Sequence, residues 1–209
     1  MNNRACHTDF TGGDGLTVIY IRMAKSKGYL RVGVASGDEK QDFCVSEAEY
    51  REAGSPTVSE ELTRDAFNLL FLGNMRYKAR IKAMRILSFG DNSERMLGRK
   101  LRSAGINADV TAEVVREMVE CGYINSTRQL ERLVSNEVQI HHTGPAKLIP
   151  KLIAKGYTKS DIERVINNLS ERGIIDFDEA KARLIAKKLT EDASDDEIKK
   201  LLYKNGYYE

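Results

Sequence analysis

Two short stretches near the start of the chain have the composition and alternation of β-strands. Residues 17–23 (TVIYIRM) are rich in β-branched and aromatic side chains, and in residues 29–35 (YLRVGVA) large apolar residues occupy every second position. The sequence Lys-Ser-Lys-Gly at 25–28 can form the turn between them. Residues 42–45 can add a third short strand. This pattern predicts a β-hairpin or small three-stranded segment within residues 16–56.

From residue 57 onward the spacing of apolar residues changes to that of helices. Gly54-Ser55-Pro56 separates the two regions and is typical of a break in regular structure. Ser46 and Glu49, just before this break, have the spacing of a capping box, which predicts a short helix. The helical region opens with two apolar stripes: Leu62, Ala66, Leu69 and Leu70, then Tyr77, Ile81, Met84 and Leu87.

The second half of the chain repeats itself, which is its most informative feature. A four-residue pattern recurs at offsets of 51 and then 50 residues. It consists of an apolar residue, a lysine or leucine three positions later, an apolar residue directly after that, and a glycine four positions further on. The three copies are Leu97, Lys100, Leu101, Gly105; Leu148, Lys151, Leu152, Gly156; and Ile198, Leu201, Leu202, Gly206. The helix that follows repeats once and ends at Gly122 and Gly173. Each of the five glycines is predicted to end a helix in the left-handed conformation. The residue that follows each glycine is apolar, and so is the residue five positions before that one. This holds in all five cases, as packing of the two side chains across such a helix end requires.

The predicted helix starts agree with these ends. Ser93 can cap the first copy, and Gly144-Pro145 places proline in the first turn, where its missing N–H costs nothing. Thr158 with Asp161, and Ser194 with Glu197, have capping-box spacing. Units of three helices and about 50 residues bury little surface alone, so neighbouring units are expected to stack.

We therefore expect a mostly α fold, built of tandem three-helix repeats that form an elongated curved rod, preceded by the strand segment. The predicted division is a flexible tail at 1–15, the strand-rich segment at 16–56, a connecting helix at 57–75, three-helix repeats at 76–125 and 126–175, and a truncated third repeat at 176–209.

The charge is unevenly distributed although the net charge is only +2. Residues 76–105 contain 9 basic and 2 acidic residues, and residues 126–160 contain 6 and 2. Two basic blocks of this kind can meet an acidic protein surface or a phosphate backbone. The chain lacks a run of 18 apolar residues and a signal pattern, so we expect a cytoplasmic protein with no membrane span and free thiols at Cys6, Cys44 and Cys121.

Few residues suggest catalysis or metal binding. His141 and His142 are adjacent, so on a helix they point about 100° apart and do not chelate one ion. The acidic residues around 191–197 are explained by the dipole of a helix that starts there. Residues 11–15 (TGGDG) lack the Gly-Lys-Ser/Thr ending of a phosphate loop and are interpreted as a flexible lead-in. We expect no enzyme activity, no cofactor and no metal.

Three stretches of the repeat region resemble the RecX family of regulatory proteins. Residues 78–106 (KARIKAMRILSFGDNSERMLGRKLRSAGI) are similar to its most recognisable segment, 120–129 (ECGYINSTRQ) to the turn that follows, and 144–157 (GPAKLIPKLIAKGY) to its second-repeat helix. The likeness covers about 130 residues, from Tyr77 to the end. The resemblance implies a regulator that binds along the groove of the RecA–DNA filament and inhibits RecA without chemistry of its own. We expect the chain to be a monomer.

Basic residues at helical spacing form the predicted binding surface for acidic RecA side chains or DNA phosphates. They are Arg76, Arg80, Arg95, Arg99, Arg102, Lys147, Lys151 and Lys155. The alternative interpretation of these residues is a set of solvated outer helix faces. For the chain as a whole the alternative is a helical DNA-binding module or transcriptional regulator, which would contact single- or double-stranded DNA through the same basic faces. Such a protein reads bases with polar side chains, and these helices offer few Asn or Gln.

Overall fold

The alternating segments near the start of the chain form a three-stranded antiparallel sheet in the computed structural model, which describes residues 15–190 and 192–208. Strands β1 (Thr17–Met23), β2 (Tyr29–Ser36) and β3 (Glu39–Ser46) pair in the order β1-β2-β3. The predicted strands are confirmed, and β3 is longer than the sequence pattern indicated. The predicted tail, with Cys6, His7 and the stretch before Gly15, lies outside the described residues.

Helices make up most of the remaining structure. Helix α1 (Glu47–Glu52) follows β3 directly, and the capping box predicted for Ser46 and Glu49 is confirmed: the Glu49 N–H donates to Ser46 Oγ at 3.2 Å and the Ser46 N–H to Glu49 Oε2 at 2.8 Å. The longer helices are α2 (Arg64–Ser88), α3 (Glu94–Ser103), α4 (Ala108–Glu120), α5 (Ser126–Gln139), α6 (Pro145–Ala154), α7 (Lys159–Glu171), α8 (Phe177–Lys188) and α9 (Asp195–Asn205). The mostly helical fold class is thereby confirmed.

The chain divides into two compact units. The first, here called the sheet unit, comprises the described residues up to Ile86 together with Lys100–Arg116. The second, the helical unit, comprises Leu87–Arg99 and the described residues from Glu117 on. The repeat boundaries and the rod shape expected from the sequence stay a prediction.

The sheet unit is built around an apolar core between the sheet and helix α2. Val32 and Phe43 are fully buried on the inner face of the sheet, and Phe67 of α2 packs edge-to-face on Phe43 with ring centroids 5.5 Å apart. Edge-to-face packing is a favourable arrangement for two aromatic rings. The sheet therefore buries one face against α2, as its alternating pattern requires.

Helix α2 continues through Gly73 and Asn74, across the predicted boundary at residue 75. A Cβ atom on Gly73 would lie 2.9 Å from Val45 Cγ1, so glycine allows the helix to approach β3 closely. Asn74 is buried, and its Oδ1 accepts the backbone N–H of Cys44 at 3.0 Å. This pair joins the helix to the edge strand of the sheet, which would otherwise leave that N–H unpaired.

The second predicted stripe of α2 is wrong for two of its four residues, whereas Tyr77 and Leu87 are half-buried. Ile81 is 50% exposed and Met84 is 37% exposed, whereas Ala79 and Ala83 are fully buried. The buried face of this part of α2 thus consists of small side chains, and a stripe defined by large apolar residues does not detect such a face.

The helical unit has its own core, formed by the stripes of α5, α6 and α7. Its fully buried centre includes Val134, Leu148, Leu152 and Ile162. Within residues 15–190 and 192–208, no helix has the length and apolar character needed to cross a membrane.

The five predicted helix-ending glycines all have left-handed backbone angles, which confirms that prediction. Their φ angles are +85° at Gly105, +75° at Gly122, +93° at Gly156, +64° at Gly173 and +87° at Gly206. In four of them the N–H of the following residue donates to the carbonyl five positions earlier, as in a Schellman motif. At the fifth, Ile124 rather than Tyr123 donates to the carbonyl of Met118.

Within the helical unit, the last residues of one helix meet the first residues of another at two equivalent junctions. At the α6–α3 junction, the hydroxyl of Ser93 donates to the carbonyl of Lys155 at 2.7 Å. At the α9–α6 junction, the N–H of Gly144 donates to the carbonyl of Asn205 at 2.8 Å. Each bond satisfies a terminal helix carbonyl that has no partner in its own helix.

Glycine is required at the α9–α6 junction for two reasons. The φ of +87° at Gly206 is unfavourable for other residues, and a Cβ there would lie 2.5 Å from Lys147 Cβ and 2.6 Å from Lys147 N. Gly173 shares the positive φ but has open space around its missing Cβ. Comparing substitutions at these two glycines therefore distinguishes the cost of backbone strain from the cost of steric contact.

We predict that Gly206→Ala destabilises the helical unit more than Gly173→Ala does. Both variants incur the left-handed penalty of about 1–2 kcal/mol, and only Gly206→Ala also forces α9 away from α6. The additional loss should be about 1–3 kcal/mol, the usual range for overpacking. Urea unfolding followed by circular dichroism measures both values. Equal losses in the two variants would contradict the close contact at the junction.

Candidate functional site

Helix α3 presents three arginines on the face opposite its buried side. Leu97 and Leu101 are fully buried, whereas Arg95, Arg99 and Arg102 are exposed. Their spacing of four and three residues places them on one side of the helix. No carboxylate in the described part of the chain forms an ion pair with these arginines, so their guanidinium groups are available to a partner.

Helix α6 presents Lys147, Lys151 and Lys155 on its exposed face, but the three lysines differ in their contacts. The Lys151 Nζ lies 2.6 Å from Glu137 Oε1. The Lys147 Nζ donates to the backbone carbonyl of Lys204 at 3.3 Å. The Lys155 side chain has no carboxylate partner among the described residues.

The α6–α3 junction places the first arginine of the α3 face beside the last lysine of the α6 face. Lys155 supplies the carbonyl that accepts the Ser93 hydroxyl, and a Cβ on the next residue, Gly156, would lie 3.2 Å from Arg95 Cβ. Arg95 and Lys155, which are 60 residues apart in the sequence, are therefore neighbours. The residues Arg95, Arg99, Lys147 and Lys155 thus lie on two helices in contact within the helical unit.

Glu137 holds Lys151 from a buried position. Its side chain is 9% exposed, compared with 43% for Lys151, and it also accepts the Thr143 hydroxyl at 3.0 Å. Burial by itself raises the pKa of the Glu137 carboxyl, but hydrogen bonds from Lys151 and Thr143 outweigh it and hold the pKa below its ordinary value. Lys151 thus neutralises a buried charge, and less of its charge is available to a partner.

Arg76 and Arg80 are held by carboxylates of the sheet unit. The Arg76 Nε lies 2.7 Å from Glu113 Oε2, and the nearest guanidinium nitrogens of Arg76 and Arg80 lie 3.9 and 3.6 Å from Glu49 Oε1. The bond between Arg76 and Glu113 raises the pKa of the guanidinium and lowers that of the carboxyl. Both arginines are half-buried. These contacts give them a structural role within the unit.

The carboxylate partners were not identified from the sequence. Glu137 stands among the apolar stripe positions Leu130, Val134 and Val138 of α5, and a carboxylate on such a stripe signals a buried ion pair. Its partner lies 14 residues further on in another helix, which periodicity cannot indicate. The described residues contain no group of three or more His, Cys, Asp or Glu side chains placed to hold a metal ion.

Comparisons with known proteins find relatives of similar sequence and a solved structure of similar fold. The chain is 25% identical over 144 residues to Regulatory protein RecX of Clostridioides difficile (strain 630), in an alignment that covers 69% of this chain and 66% of that protein. A solved structure described as "Crystal structure of regulatory protein RecX" matches with a TM-score of 0.68 and 16% identity, over 92% of this chain and 95% of that one. The chain is thus similar to RecX proteins in sequence and in fold.

A second RecX relative is matched over only about half of its length. Regulatory protein RecX of Listeria monocytogenes serotype 4b (strain CLIP80459) is 26% identical over 137 residues, which cover 64% of this chain and 49% of the relative. The chain thus spans about half to two thirds of the length of these RecX proteins. No family model matches the chain.

We predict that Glu137→Gln lowers the free energy of unfolding at neutral pH by about 1–2 kcal/mol, because a charge-assisted bond to Lys151 is lost while Lys151 remains partly hydrated. Since the folded pKa of Glu137 is depressed, its contribution is present above the ordinary carboxyl pKa and disappears as the pH falls through the folded value. The difference from the unmodified protein should therefore shrink below about pH 5.

Glu131→Gln on the same helix is the control. Glu131 lies 3.8 Å from Arg172 in a more exposed pair, so its loss should cost less than about 0.5 kcal/mol. Urea unfolding at a series of pH values measures both variants. An effect of Glu137→Gln that grows in acid would contradict the assigned ion pair.

Proposed function

We propose that this chain binds the RecA filament and inhibits its recombinase and ATPase activities in DNA repair and recombination, as a monomer in the cytoplasm and without catalysing a reaction. The observation that carries the proposal is the similarity to Regulatory protein RecX over 69% of the chain. A regulatory protein acts through a partner, and the RecX-like segments of the sequence point to RecA as that partner.

The exposed basic residues of α3 and α6 are the proposed contact surface. Arg95, Arg99 and Arg102 combine exposure with the absence of a described carboxylate partner, and Lys155 shares both properties. Arginine can bind a carboxylate or a phosphate through two parallel hydrogen bonds, so it suits either an acidic RecA side chain or filament DNA. Lys147 adds a further positive charge on the same helix as Lys155.

The three remaining basic residues contribute less to this surface. Arg76, Arg80 and Lys151 already contact Glu49, Glu113 or Glu137, so a partner would have to compete with an existing ion pair. Their replacement would expose or unpair a carboxylate and would change stability as well as binding. They are therefore poor positions for testing the proposed contact.

The test is the ATPase rate of RecA from the same organism on single-stranded DNA, with this protein titrated in. We expect inhibition at less than one molecule per RecA. Replacing Arg95, Arg99 and Arg102 together by Ala should raise the concentration for half-inhibition by at least about tenfold, because three charge-assisted contacts are removed.

A second triple variant, Arg164→Ala, Arg172→Ala and Arg183→Ala, removes the same charge from exposed arginines that already contact carboxylates. It should inhibit RecA within about twofold of the unmodified protein, as expected for surface positions outside the contact. Absence of inhibition by the unmodified protein, combined with tight binding to bare DNA, would overturn the RecA proposal in favour of a DNA-binding module.

A further inference from the structure

A cavity of about 450 Å³ lies in the helical unit, where three chain segments meet. These segments are the residues that follow α5, the last turn of α8, and the C-terminal half of α9. Leu184 and Leu201 form part of its wall. The volume is within the range of natural small-molecule sites.

The polar part of the wall is mostly basic, with the side-chain amide of Asn205 as its neutral member. It includes His141, His142, Lys187, Lys188 and Lys204. Among the described residues that line the cavity, none is acidic. The three lysines also have no carboxylate partner in the described part of the chain. Several like charges around one cavity are unfavourable without a counter-charge, so the wall favours an anion.

His142 provides a second, independent indication of a ligand. Its backbone is left-handed, with φ of +51°, and the residue is only 8% exposed. The Nδ1 atom is buried and has no hydrogen-bond partner among the described residues. Buried polar groups usually have a partner, and left-handed non-glycine residues often occur at functional sites.

The helix dipole explains only part of this arrangement. Lys187 and Lys188 lie in the last turn of α8, where cations are favoured by the helix dipole. That effect does not account for two histidines from the segment after α5, or for their convergence with Lys204 on a third element. A shared anion does.

We propose that this cavity binds a phosphate group, either from a nucleic-acid backbone or as free phosphate. The lysine ammonium groups and an imidazole N–H would donate hydrogen bonds to the phosphate oxygens. A phosphate supplies the negative charge and the several hydrogen-bond acceptors that the wall itself lacks. This inference goes beyond the proposed function, because the site forms within this chain and needs no RecA.

The experiment is carried out without RecA, so that its outcome is independent of the ATPase test. Fluorescence anisotropy measures binding of a labelled oligothymidylate of about 20 nucleotides. In a parallel titration, nuclear magnetic resonance follows the His142 imidazole as inorganic phosphate is added, with sodium chloride at equal ionic strength as the reference.

The test variant is Lys187→Gln with Lys188→Gln and Lys204→Gln. The matched control is Lys25→Gln with Lys27→Gln and Lys40→Gln, which removes equal charge from exposed positions of the sheet unit. We expect the test variant to bind the oligonucleotide at least about tenfold more weakly, with a salt slope lower by about 2, because three phosphate contacts are lost. The control should change affinity by less than about twofold, since it removes charge only outside the cavity.

Two results support the site and identify the molecule that supplies the phosphate group. Weaker oligonucleotide binding in the test variant alone identifies a nucleic-acid phosphate, and His142 shifts with inorganic phosphate but without oligonucleotide binding identify free phosphate. Two results overturn it: no response to either probe, or an equal loss of binding in the control variant. Circular dichroism confirms that both variants are folded.

Discussion

The contact between the end of one helix and the start of another, earlier in the chain, is the constraint on which the helical unit depends. The last carbonyls of α6 and α9 carry partial negative charge, and the first residues of α3 and α6 carry partial positive charge. Ser93 and Gly144 join them through hydrogen bonds of 2.7 and 2.8 Å. Gly206 makes the second contact possible, because a side chain there would collide with the backbone of Lys147.

These junctions also determine which basic residues can act together. Arg95 and Lys155 become neighbours because α6 ends where α3 begins. Other basic residues of the same sequence blocks are neutralised by carboxylates: Arg76 by Glu113, and Lys151 by Glu137. The excess of positive charge counted along the sequence is therefore larger than the positive charge that these elements offer to a partner.

Local signals in the sequence predicted the strands, the helix-ending glycines and the capping boxes at Ser46 and Ser194, because each depends on residues within five or six positions of one another. At Thr158 the hydroxyl caps the helix by accepting the Asp161 N–H, but the reciprocal bond of the predicted capping box is not formed. Three features depend on distant residues and were not predictable in this way. Gly73 is a residue type that usually weakens a helix, but here it allows close contact with Val45. Ala79 and Ala83 form a buried face without large apolar side chains. The carboxylate partners of the basic residues likewise lie on other elements. The RecX resemblance came from the order of several weak motifs, which the repeat keeps in register.

Hydrogen exchange measured by mass spectrometry, on the chain alone and with RecA filaments on single-stranded DNA, tests whether α3 and α6 contact the filament. Stable contact with a partner slows the opening that exchange requires. Such a contact predicts slower exchange in peptides from α3 and α6 when filaments are added, and no such change with RecA-free DNA at the same salt concentration. Unchanged exchange in both helices, or slowing restricted to other elements, would contradict it.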